Sequence, residues 1–328
     1  MLFPAVLVAG PRIELVWPTP NTAFLEGKPI DAYVQPTVSG EVTSGLFGCV
    51  RSSGTQFHEG LDLKPVSRNK RGEPTDDVFA TMAGVVRHVN LRAGDSSYGR
   101  YVVIEHVELK PAVYTLYAHL SAVAPGVNAG ERVECGQVIA TMGRSAGGYT
   151  IPKDRAHLHY EIGLMATRWF QSWYDWKKFG SANDHGLYNG MNLMGVDALD
   201  FFNRFRARTV NDFSDYFAQL PSVVRVRIAT KRVPDFVQRY PELLTREIPA
   251  AGVAGWEMKV NATGLPFSWT PLNAEDVEGF RTNEIRLSDV DAEALRRFRC
   301  KSIAVSRRGK YEPGRDLETM LQLVFGLR

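Results

Sequence analysis

Between residues 41 and 165 the chain is written in short apolar runs punctuated by glycine. Gly84-Val-Val-Arg-His-Val, Arg100-Tyr-Val-Val-Ile-Glu and Gly136-Gln-Val-Ile-Ala-Thr-Met are typical. Many short strands between glycine turns predict an antiparallel all-β unit. Ahead of it, residues 12–40 are rich in Pro, Thr and Asn and read as an extended lead-in. After it the period lengthens. Trp169, Trp173 and Trp176 fall at i, i+4 and i+7, the stripe of a short helix. Its expected job is packing onto a domain, with stacking on a sugar ring as the alternative. Asp197 to Arg208 reads as a second helix, with Leu199, Phe202 and Phe205 on one side. From about residue 210 the texture changes again. Val223–Ala229, Trp256–Asn261 and Lys301–Ser306 read as strands, and Val233–Tyr240, Ala292–Phe298 and Glu318–Phe325 as helices, the mixture of an α+β unit.

The expected organisation is therefore a lead-in over 1–40, a β-domain over 41–167, a helical connector over 168–209 and a smaller α+β accessory domain over 210–328. No motif gives the last a role beyond packing, targeting or covering a groove. A chain ended near Arg208 is expected to keep the chemistry of the β-domain. The alternative is that the connector and the C-terminal unit pack against it as one body, so that truncation exposes apolar surface.

Composition changes this picture little. The chain has 328 residues, 44% apolar and 23% charged, with a formal charge of +3, ordinary values for a globular protein. The charge is uneven: from Arg296 onward there are nine Lys/Arg against three Asp/Glu. That stretch is either a solvated face or a contact for an anionic polymer such as a cell wall. No recognition motif accompanies it, which argues against nucleic acid. No apolar run reaches the length of a membrane-spanning helix. Met1 to Gly10 is apolar but lacks a basic leader, and reads either as the remnant of a secretory signal or as a first strand. Cys49, Cys135 and Cys300 form no framework and no zinc ribbon; a Cys49–Cys135 pair is one option that nothing demands.

Two segments carry the chemistry: His58-Glu-Gly-Leu-Asp62 and His157-Leu-His159. In the second, His157, His159 and Glu161 alternate with Leu158, Tyr160 and Ile162, so both histidines point to one face of a strand. His58 and Asp62, four apart, fall on one side of an extended segment, with Gly60 allowing a kink. Zinc accepts His nitrogen and Asp oxygen, and a catalytic site takes three protein ligands. Four candidates are one too many, which leaves one histidine for proton transfer. Glu161 is either a partner that orients a histidine or an ordinary exposed strand residue. Glu59 lies on the opposite face and makes a poor base. His88 and His106, at strand ends, and His185, in a polar turn, are expected to be non-catalytic.

The flanking text narrows the choice. Val42-Thr-Ser-Gly-Leu-Phe-Gly48 precedes His58. Phe79–Val86, Tyr98–His106, Tyr114-Thr-Leu-Tyr-Ala-His-Leu-Ser121 and Val133–Ala140 follow Asp62, and His157-Leu-His-Tyr-Glu161 closes the series. This ordered series, over about residues 40–165, resembles the lysostaphin-type (LytM-like) zinc metallopeptidases, which cut peptide bonds in bacterial peptidoglycan. The resemblance implies a compact, barrel-like antiparallel sandwich with a zinc groove across one sheet. It implies that His58, Asp62 and His159 hold Zn2+, and that His157 and His119 are the non-ligand catalytic histidines. On that pattern His157 acts as base, and His119, on a separate strand, donates a hydrogen bond to the water or the oxyanion. Two departures bear on substrate preference: a longer, polar loop over Ser145–Ala156, and a charged insertion over Arg68–Asp77. The expected activity is a zinc endopeptidase acting on peptidoglycan peptides, in the cell envelope or secreted. The alternatives are a non-enzymatic wall-binding module or activator of another hydrolase, which the five retained residues disfavour, and a lytic factor aimed at competing cells.

Overall fold

The structure, a computed structural model, describes residues 12–327; the apolar run Met1–Gly10 lies outside them. The molecule is mostly β, with a smaller α+β unit at the C-terminal side. The chain enters through the lead-in, which does more than lead in. Trp17, Phe24, Tyr33 and Val34 are buried in the main core, Trp17 stacked on Phe24 with ring centroids 4.4 Å apart, and Val34 bridges to Leu63. A hairpin follows, β1 (Gly48–Arg51) and β2 (Gln56–His58), then β3 (Leu61–Leu63) and β4 (Asp77–Phe79). Next come β5 (Gly84–Asn90), β6 (Tyr101–Glu105) and β7 (Tyr114–Ala118), the short β8 (Ala122–Val123) and β9 (Arg132–Val133), then β10 (Val138–Thr141). Strand β11 (Leu158–Met165) and β12 (Leu193–Val196) complete the domain.

The strands form a seven-stranded sheet, β12-β11-β7-β6-β5-β9 with β3 also on β11, and a three-stranded one, β4-β10-β8. All pairings are antiparallel. Strand β11 is the hinge of the site. Its Leu158, Tyr160, Ile162 and Leu164 enter the main core. Its other face carries His159 and Glu161, beside a small cluster of Tyr101, Val103, Tyr114, Leu116 and Ala118. The period of two read from the sequence is thus the period of the structure. Register does the rest: His159 stands opposite Asp62 of β3 and Ala118 of β7.

The expected tryptophan stripe is corrected in detail. Helix α1 spans Phe170–Lys177, and its buried residues are Phe170, Trp173 and Tyr174. Trp169 precedes the helix and is 72% exposed. Helix α2 (Ala198–Arg206) buries Leu199, Phe201 and Phe202. The C-terminal unit adds α3 (Phe213–Ala218), a sheet ordered β15-β14-β13-β16 from β13 (Val224–Ile228), β14 (Gly255–Val260), β15 (Pro266–Leu272) and β16 (Ile285–Ser288), and a hairpin of β17 (Ala304–Arg307) and β18 (Lys310–Pro313). Helices α4 (Asp235–Arg239), α5 (Ala292–Arg297) and α6 (Arg315–Phe325) pack around it.

The two units share one continuous apolar core. Phe213 stacks on Phe201 at 4.2 Å, Leu323 of α6 joins the α1 cluster, and Arg239 donates to the carbonyls of Met165 and Ala166. The disulfide also joins them, and differs from the pairing considered from sequence: Cys49 is bonded to Cys300, across 251 residues, and Cys135 is free. Spacing could not show this, because the bond closes a contact between units that meet only on folding.

Candidate active site

Strands β2, β3 and β11 bring three donor atoms together. His58 Nε2 lies 3.0 Å from His159 Nδ1 and 3.1 Å from Asp62 Oδ1, and His159 Nδ1 lies 3.0 Å from the same oxygen. All three residues are buried. Gly60, between β2 and β3, is needed for packing: a Cβ there would sit 2.5 Å from the Tyr160 carbonyl and 2.9 Å from the His159 ring.

The outer hydrogen bonds fix the tautomers. His58 Nδ1–H donates to the Leu46 carbonyl at 2.7 Å, leaving Nε2 bare. His159 Nε2–H donates to Glu161 Oε1 at 2.9 Å, leaving Nδ1 bare. With both rings neutral, two lone pairs and a carboxylate oxygen would face each other among buried side chains, which is repulsive unless a cation or a proton lies between them. The same fields act on protons. Burial pushes the His159 pKa down, but the hydrogen bonds and charges of Asp62 and Glu161 outweigh it and hold it at about 9. Burial pushes Asp62 up, but the surrounding imidazoles, His157 and His58 through the charge they carry when protonated and His159 through its hydrogen bond, hold it well below the usual carboxylate range. Two nitrogens and one oxygen suit zinc, whose tetrahedral ligands at about 2.0–2.2 Å stand roughly 3.4 Å apart, close to the spacing found here.

Glu161 is no exposed strand residue. It is buried and accepts hydrogen bonds from Tyr98 Oη at 2.6 Å and Tyr114 Oη at 2.9 Å besides His159. These tyrosines, and Arg51, went unread in the sequence. Arg51 Nη2 donates to Asp62 Oδ2 at 2.6 Å. No local pattern marks Arg51, since its partner is eleven residues away on β3; Tyr98 and Tyr114 both open motifs of the ordered series, but nothing local shows which residue they meet.

His119 and His157 flank the donor triangle, their rings 4.8 Å apart at 74°. His157 Nδ1–H donates to the Arg155 carbonyl, and its Nε2 lies 3.5 Å from Asp62 Oδ1. His119 lies just past β7 rather than on it, at φ +62°, a left-handed conformation uncommon for a non-glycine residue. Its backbone N–H donates to the Tyr98 carbonyl and its Nδ1–H to the Ser145 carbonyl at 2.8 Å. Burial, with the neighbouring histidines, holds the His119 pKa well below the ordinary value, and burial likewise lowers His157. Both are neutral near pH 7 and present bare Nε2 atoms. With Nδ1–H on the Ser145 carbonyl, the neutral His119 ring turns an acceptor nitrogen, Nε2, to the site.

A groove of ≈ 1060 Å³ opens on His119, His159 and Tyr98, walled by Thr37–Ser44 and the β1–β2 hairpin. A smaller cavity of ≈ 160 Å³ opens on Asp62, His119 and His157; Thr37, Arg51 and Tyr149 line both. The two atypical loops pack on each other beside it. Arg68 of one donates to the Lys153 carbonyl of the other, and Arg144, just ahead of the second, makes a bidentate pair with Glu73 at 2.7 and 3.0 Å, holding the Glu73 pKa at about 2. The remaining histidines stand apart. His106 is buried between the Ala83 carbonyl and the Thr115 hydroxyl. His88 lies inside β5, not at its end, with its ring 5.7 Å from that of His185.

Residues 56–169 match the model of Peptidase family M23. The M23 segment opens two residues before His58 and closes after β11, and so contains the donor triangle and both flanking histidines. It coincides with most of the region whose motifs resemble lysostaphin-type enzymes. No curated protein matches the chain. Among solved structures, a zinc-containing peptidase from Vibrio cholerae is 30% identical, over 40% of this chain and 33% of its own, with a TM-score of 0.28. The chain thus spans about a third of that relative. The catalytic domain of the antimicrobial peptidase lysostaphin from Staphylococcus simulans is 14% identical, over 53% of this chain and 95% of its own, with a TM-score of 0.31.

Proposed function

We propose that the chain is a zinc-dependent endopeptidase that hydrolyses peptide bonds in the stem peptides or cross-links of bacterial peptidoglycan. The observation that carries this is the convergence of His58 Nε2, Asp62 Oδ1 and His159 Nδ1 on one buried point beside His119 and His157, at the foot of an open groove. The M23 match supports a peptidase. His58, Asp62 and His159 would hold the zinc ion, which would supply a Lewis acid and make water a stronger acid at that point. His157, its bare Nε2 turned toward Asp62, takes the proton of the attacking water and returns it to the leaving amine. His119, its Nδ1–H held by the Ser145 carbonyl, accepts a hydrogen bond at Nε2 from the attacking water and orients it. Glu161, held by two tyrosines, fixes the ring of His159.

Retention of all five residues disfavours a purely binding role. A peptidoglycan substrate implies action in the envelope or outside the cell, and among the described residues no helix is long and apolar enough to cross a membrane. The basic stretch from Arg296 remains a candidate contact for an anionic wall polymer, although Arg299 is engaged internally, on the Ser53 carbonyl. The test is digestion of purified peptidoglycans of different cross-link types, with and without a chelator, followed by mass analysis. Chelator-sensitive fragments ending at one peptide bond are expected; intact sacculi of every type would reject the proposal.

A further inference from the structure

We propose that the C-terminal unit is a clamp on the β1–β2 hairpin, holding Arg51 and His58 where the metal centre needs them, so that metal affinity depends on residues outside the M23 segment. This rests on the metal-centre reading above.

Among the described residues the hairpin β1–β2 pairs with no other strand, and a lone two-stranded hairpin is at best marginally stable in water. Yet it ends in the ligand His58 and carries Arg51, whose guanidinium holds Asp62 by the oxygen that does not face the histidines. With Oδ2 pinned, the carboxylate cannot rotate Oδ1 out of the donor triangle. Arg51 is thus a positioning residue, and its placement is only as firm as its hairpin.

On the inner side the hairpin is held by Arg51 Nε on the Ser44 carbonyl and by Phe57 against Phe47. On the outer side its anchors come from four consecutive residues of the C-terminal unit. The Phe298 ring stands where a Cβ on Gly48 would meet it at 3.7 Å, Arg299 donates to the Ser53 carbonyl, Cys300 is bonded to Cys49, and Lys301 Nζ stands 4.1 Å over the Phe57 ring. Those residues are themselves fixed. The Ser302 N–H donates to Asp316 of α6 at 2.7 Å, and α6 is buried along one side by Leu317, Met320, Leu321 and Val324. A continuous path runs from α6 through Cys300 and Cys49 to Arg51 and Asp62.

The experiment measures the zinc dissociation constant of the full-length protein by competition with a chromophoric chelator, without substrate. Cys49→Ser with Cys300→Ser should bind zinc about 10-fold or more weakly, the range typical for loss of an outer partner of a metal ligand. Cys135→Ser should match wild type. Arg51→Gln should weaken zinc similarly, and combined with the disulfide-free background the two losses should fall short of their product, because the clamp acts in part through Arg51. If the double serine variant does not fold, Arg299→Ala with Lys301→Ala keeps the disulfide and removes the other anchors, and should still weaken zinc several-fold. Wild-type affinity in every clamp variant that folds would overturn the clamp alone. A wild-type protein that binds no zinc would overturn the metal centre and the clamp with it.

Discussion

At the scale of single residues, two kinds of histidine share one pocket, and the difference lies in what each outer nitrogen donates to. His58 and His159 give their outer N–H groups to Leu46 and Glu161 and aim their other nitrogens at Asp62. His159→Ala is expected to lose most bound zinc on metal analysis; full retention would remove it from the ligand set. His157→Ala and His119→Ala are expected to keep zinc and lose about 10²–10⁴ in hydrolysis rate, the usual worth of a proton-transfer group. Wild-type turnover in either variant would end its catalytic role. His106 shows what a structural histidine does instead. Burial lowers its pKa to about 4, and its neutral form fits its partners, Nδ1–H to Ala83 and Nε2 accepting from Thr115. An unfolded histidine titrates near 6.5. Between those values the unfolded chain binds the extra proton, so this stability is complete above about pH 6.5 and is lost toward pH 4, a loss on the order of 3 kcal/mol. The His106 ring resonances should stay unshifted from pH 7 to 5; a midpoint near 6.5 would contradict its burial.

At the scale of elements, the site is an outcome of register. Had β3 slipped by one residue against β11, Asp62 would point into the core and Leu61 or Leu63 at the metal position. Gly60 guards that register by letting the β2–β3 link pass over Tyr160 and His159. Gly60→Ala should cost about 1–3 kcal/mol through overpacking and weaken zinc binding as His159 shifts, read as a lowered melting temperature and a weaker chelator competition. An unchanged melting temperature would show that the link can move aside. The strands themselves were legible, because alternation on β11 and glycine punctuation elsewhere are local signals. The helix of Trp169–Trp176 was legible as a helix but not in its buried face: Phe170 and Tyr174 meet Ala166 and Leu323, and nothing local says which side those partners occupy.

At the scale of the whole molecule, the C-terminal unit is packed on the β-domain as one body. Removing residues after Arg208 would strip Phe213 from Phe201, Arg239 from the end of β11, and Asp235 from Thr167. A chain ended there is expected to aggregate on expression, of the two outcomes the sequence left open. A soluble, monomeric product with native zinc affinity would show the unit to be dispensable and would contradict the clamp as well. By itself the sequence determined the strand-rich domain, the candidate ligands and the two flanking histidines, because these are written in spacings of two to four residues and in an ordered run of motifs. Only the tertiary structure decided that Arg51 meets Asp62, that Tyr98 and Tyr114 meet Glu161, and that Cys49 finds Cys300 rather than Cys135. Each joins residues 11 to 251 positions apart. Contacts at such separations are set by how strands pair and units dock, and leave no periodic mark along the chain.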